Sequence, residues 1–91
     1  MKNQVYVFMG EGANYPAGIF ESKEKAEEVI KRYSLTGILS LYPIDMLLYD
    51  WAIEKKYFDI KKEYQKSPKY IGQFSCASVD HFHYEEGVCV N

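Results

Sequence analysis

The chain has 91 residues, 47% hydrophobic, 26% charged and 16% aromatic, with eleven basic against thirteen acidic side chains for a net charge of -2. That length reads as one domain, residues 1–91, burying about 60–65% of its unfolded surface, and it excludes two chemical subdomains or a full nucleotide-binding fold. The apolar content excludes a disordered chain, and no stretch approaches the roughly 18 uninterrupted apolar residues that a membrane span needs.

Met1-Lys2-Asn3-Gln4 leads into Val5-Tyr6-Val7-Phe8-Met9, β-branched and aromatic, which predicts a strand. This run is too short for a signal-peptide core, and two cysteines, Cys76 and Cys89, are too few for a disulfide framework. Reduced thiols and a cytoplasmic location are therefore expected. Gly10 to Gly18 is dense in turn formers and precedes Ile19-Phe20, so a hairpin with a long loop is expected. Its Gly10-x-Gly12 lacks a third glycine and a Gly-Lys-Ser/Thr, and Pro16 stands where a helix would start, so it is no phosphate cradle.

Ser22 is a plausible N-cap for an amphipathic helix over residues 22–34. Ala26, Val29, Ile30 and Tyr33 form its apolar stripe. Lys23–Glu27, Glu27–Lys31 and Glu28–Arg32 are opposite charges four apart on a solvated face, each contributing about 0.2–0.5 kcal/mol. Ile38 to Tyr42 predicts a third strand limited by Pro43. Asp45 is then expected to cap a second helix over about 46–56, with Leu47, Leu48, Trp51, Ala52 and Phe58 inward. Ser67-Pro68 has the form of a cap and first-turn pair for a short helix reaching Phe74. Residues 78–84 predict a last strand closed by Glu85-Glu86-Gly87, and the pattern does not decide whether residues 88–90 pair, form a dimer edge or fray.

The element order strand, strand, helix, strand, helix, short helix, strand gives an α+β fold. It combines a small, mainly antiparallel sheet of about four strands with the 22–34 helix across one face. Phe20, Tyr33, Trp51 and Phe74 are the expected core anchors, and Tyr15, Tyr49 and Tyr64 are expected at the surface.

Three sets of residues carry candidate chemistry. His81 and His83 share one face of a strand and can share a metal, with Cys76 and Cys89 flanking them as C-x4-H-x-H-x5-C. That spacing matches none of the tight knuckle patterns, so no metal or other cofactor is assigned. Asp50 with either histidine would make an acid–base pair, yet no nucleophile elbow, H-E-x-x-H or Walker motif accompanies it. Between residues 55 and 69, six lysines against Asp59 and Glu63 leave a local excess of four positive charges, interleaved with Tyr57, Phe58, Tyr64 and Tyr70. Such a mixture suits single-stranded nucleic acid, but an acidic chain lacks the expected footprint, and solvated lysines over tucked aromatics are the simpler reading.

Several blocks run nearly the length of the chain: Gly10-Glu11-Gly12 with Tyr15-Pro16-Ala17-Gly18, Tyr42-Pro43-Ile44-Asp45 with Tyr49-Asp50-Trp51-Ala52, and His81-Phe82-His83-Tyr84-Glu85. Together they resemble a family of small bacterial proteins built on a domain of unknown function. The resemblance implies a stand-alone cytosolic domain and transfers no catalytic residue. It also leads one to expect an Asn-Gly turn before Tyr57-Phe58, where this chain has Lys55-Lys56, and that difference bears on where the second helix stops.

The leading expectation is a non-enzymatic protein-binding module. The surplus of tyrosines in so small a domain leaves some at the surface, and aromatics mark contact sites. Glu11, Asn14 and Tyr15 of the first loop and Tyr49, Asp50 and Trp51 of the second helix are the candidate contact residues. An acidic domain of this kind also suits an inhibitor- or immunity-type protein that covers a basic enzyme site.

Overall fold

The structure, a computed structural model, describes residues 3–91. Five strands and three helices follow in the order β1 (Gln4–Gly10), β2 (Gly18–Phe20), α1 (Lys23–Arg32), β3 (Gly37–Pro43), α2 (Leu48–Glu54), α3 (Pro68–Gly72), β4 (His81–Glu85) and β5 (Val88–Cys89). A 3-10 turn at Glu63–Lys66 precedes α3. The sheet is antiparallel throughout, in the order β2-β1-β3-β4-β5. The fold is thus the expected α+β domain with one strand more than the approximate count. The added strand is the open case of residues 88–90: Glu86 (φ 48) and Gly87 (φ 86) make a two-residue turn that pairs Glu85 with Val88.

Strand alternation assigns the two faces. Phe8 pairs with Leu39 and Leu39 with Phe82, and these side chains meet α1. The core is Phe8, Ala26, Ile30, Leu39 and Tyr84, bordered by Tyr6, Phe20, Leu35 and Phe82. Ser22 caps α1 by accepting the Lys25 N–H at 3.1 Å, and Glu24 in the first turn with Lys31 and Arg32 in the last complement the helix dipole.

The stripe on α1 stops one residue early. Tyr33 is 63% exposed, because the helix ends there and Ser34 (φ 53) reverses the chain. The Leu35 N–H then returns to the Ile30 carbonyl at 2.9 Å, and Leu35 takes the place against the core that the helical spacing assigned to Tyr33.

The second helix is shorter than expected at both ends. Asp45 does not cap it: Asp45 adopts a left-handed conformation (φ 61), and Leu47 is the N-cap residue, with no side-chain cap. Residue 56 is also left-handed (φ 65) and ends the helix. The helix is rotated from the expected orientation, so that Tyr49 and Ala52 are buried while Leu47 is exposed. Ser67-Pro68 does open α3, the Ser67 hydroxyl accepting the Tyr70 N–H at 3.1 Å.

Candidate functional site

The face of the sheet turned away from α1 is the unusual feature of this fold. It carries Val7, Met9, Ile19, Ile38 and Val88 alongside Ser40, His81, His83 and Glu85, a larger apolar share than a solvated antiparallel face normally has. Ile19 is 67% exposed and Val88 64%, with Met9, Ile38 and Val90 exposed too. At the Gly10–Gly37 end of this face lies an open groove of about 610 Å³. The cross-strand row Met9, Ile38 and His83 runs through it, and Glu11, Glu85 and Val90 line its sides.

Hydrogen bonds hold the groove's rims. The Thr36 carbonyl accepts the Glu11 N–H at 3.0 Å, and the Thr36 hydroxyl accepts the Glu86 N–H at 3.0 Å. The opposite rim ends on Asn91, whose side-chain oxygen accepts the His83 N–H at 2.6 Å and whose amide nitrogen donates to the His81 carbonyl at 3.4 Å. That amide stands in for strand backbone along β4. Close approach of β1 and β3 beneath the groove depends on Gly37: a Cβ there would collide with the Met9 carbonyl oxygen and lie 2.8 Å from the Phe8 ring.

The structure divides the candidate residues between two places. Glu11 lines the groove, and Asn14 and Tyr15 are exposed on the same loop, Tyr15 at 80%. Tyr49, Asp50 and Trp51 lie elsewhere. Trp51 borders a separate shallow cavity of about 230 Å³ with Pro43 and Gln4, at the other end of β3, about 20 Å along the strand from Gly37.

Tyr49 does not lie at the surface, where it is expected. It is only 6% exposed, because its ring centres a second cluster with Phe58 (5.7 Å) and Phe74 (5.5 Å). Its hydroxyl donates to the Gln65 carbonyl at 2.8 Å, which satisfies its one polar group. Asp50 is exposed and Trp51 half-buried, its ring 5.5 Å from that of Tyr57. The aromatics between the lysines divide as well: Phe58 and Tyr70 join the cluster, while Tyr57 and Tyr64 are exposed.

His81 and His83 do share a face, with ring centres 5.4 Å apart. The C-x4-H-x-H-x5-C set does not converge, because Cys89 pairs with Tyr84 and so belongs to the opposite face of the sheet. Among the described residues no group of three or more His, Cys, Asp or Glu is placed to hold a metal. Nor is any helix among them long and apolar enough to cross a membrane.

Two features are absent from the sequence reading. One is the buried Tyr84 hydroxyl, which donates to Glu27 Oε2 at 2.6 Å. Burial, then this bond and the carboxylate's charge, push the Tyr84 proton affinity well above that of a free tyrosine. No local pattern pairs residues 57 positions apart. The other is the open apolar face, and its signal was present: Val5 to Met9 and Ile38-Leu39 are unbroken apolar runs, the mark of a strand with both faces covered.

The model of a protein family described as a domain of unknown function (DUF7710) matches residues 5–90, and the chain belongs to that family. No curated protein and no solved structure matches it.

Proposed function

We propose that this family member is a non-enzymatic protein-binding module whose contact surface is the open sheet face and its groove. One observation carries the reading: Met9, Ile19, Ile38, Val88 and Val90 are exposed on one side of a sheet whose other side already has a complete core. Exposed apolar side chains gathered on one face mark a place of association. The partner that fits presents apolar side chains to the sheet and lysine or arginine to Glu11 and Glu85 on the groove's sides. An inhibitor- or immunity-type role, covering a basic surface, belongs to this class. The two free thiols, Cys76 and Cys89, suit a reducing, cytoplasmic setting.

The test places a photo-crosslinking amino acid at Ile38 and, separately, at Glu24 on the exposed side of α1. A partner that crosslinks from position 38 and not from 24, and whose capture is lost in a folded Ile38→Glu variant, supports the reading. The same products from both positions, or none from position 38, would overturn it.

A further inference from the structure

We propose that His81 and His83 form a two-imidazole site for a divalent transition cation such as Zn²⁺. The inference is independent of the protein-binding reading and rests on three features of β4. First, residues two apart on a strand project to the same face, so both rings leave the sheet on the side away from α1. Second, His81 Nδ1 is 2.8 Å from the Val79 carbonyl oxygen. A carbonyl only accepts, so Nδ1 is the donor and Nε2 is the nitrogen left for a metal. A ring nitrogen bonded to a backbone carbonyl is how ligand histidines are commonly oriented. Third, the ring centres are 5.4 Å apart, with their planes at 76°. Two imidazoles bound to one tetrahedral zinc, with Zn–N bonds of about 2.0–2.1 Å, have ring centres about 5.2 Å apart.

Imidazole pairs take zinc- and copper-class ions in preference to magnesium or calcium, which demand oxygen ligands. No third His, Cys, Asp or Glu among the described residues closes the site. Two tetrahedral positions are therefore left to water or to an incoming ligand. His83, though not His81, lines the groove, together with Glu85.

The experiment uses the full chain without a histidine tag and with Cys76→Ser and Cys89→Ser, which removes competing thiolates. Zn²⁺ is titrated while the imidazole nitrogens are followed by ¹⁵N NMR. The expected result is saturation at one equivalent, a shift of His81 Nε2, and retention of the proton on His81 Nδ1. His81→Gln and His83→Gln should each weaken binding at least about tenfold. The His83 ring is exposed, so its variant keeps the fold. The inference is overturned if His81 carries its proton on Nε2 in the metal-free protein, if the shifts fail to saturate, if replacing the cysteines removes the binding, or if either glutamine variant binds as tightly as its parent.

Discussion

Lys56 occupies a backbone conformation that suits glycine, and replacing it should stabilise the protein. Its φ is 65, at the position just beyond the α2 cap residue Lys55. The Tyr57 N–H returns to the Ala52 carbonyl at 2.8 Å, and the Lys56 N–H reaches the Ile53 carbonyl at 3.1 Å. These are the paired bonds of a Schellman ending, and the Tyr57 ring packs on Trp51 as the accompanying apolar contact.

A left-handed residue with a Cβ costs roughly 1–2 kcal/mol, and a glycine gives back roughly 0.5–1 kcal/mol in unfolded-chain entropy. Lys56→Gly should therefore gain about 0.5–1 kcal/mol. In a domain of this size that raises Tm by about 2–8 °C. Urea unfolding followed by the fluorescence of Trp51, the one tryptophan, should show a higher midpoint with an unchanged slope. Two controls separate conformation from charge. Lys56→Ala removes the ammonium from a lysine-rich segment but keeps the Cβ, and should gain little. Lys55→Gly acts at a right-handed residue (φ -83) and should lose stability. A Lys56→Gly protein no more stable than the parent, or a Lys56→Ala protein that gains as much, would refute the conformational argument.

Two further outcomes follow from the core. Tyr84 holds its proton in the fold beyond the pH near 10 at which an unfolded tyrosine loses it. Its contribution is therefore fully present below pH 10 and is lost as pH rises above it, by about 1.4 kcal/mol per pH unit. Tyr84→Phe should cost about 1 kcal/mol at pH 7, and the gap from wild type should narrow between pH 9 and 11 in denaturant titrations; a gap independent of pH counts against the assignment. Gly37→Ala should cost at least about 2 kcal/mol, because the neighbours of its Cβ include backbone atoms of Met9 and Gly10 that cannot move aside. Thermal melts that match wild type would show that β1 and β3 can separate without loss.

Much of the fold is local in origin and was legible in the chain. The apolar runs of β1 and β3, the Ser22 and Ser67 caps and the i, i+4 pair Ala26 and Ile30 act over a few residues, and each element formed where its pattern stood. Of the candidate surface, Glu11, Asn14 and Tyr15 are in or beside the groove region, because a loop of turn formers has nowhere to go but solvent. Tyr49 is expected at the surface and is buried, since which face of a short helix turns inward depends on what meets it. Here that is Phe58 and Phe74, nine and twenty-five residues further along.

The sequence by itself determined the α+β class, the antiparallel strands and the amphipathic first helix, because periodicity and capping are properties of neighbouring residues. Only the tertiary structure decided the rest. Strand order brings Met9, Ile38 and His83 into one row, the chain reversal at Ser34 exchanges Tyr33 for Leu35, and the packing of α1 on one face leaves Met9, Ile19, Ile38 and Val88 exposed on the other. Each of these depends on register between segments far apart in the chain, where a shift of one residue would exchange the two faces of a strand.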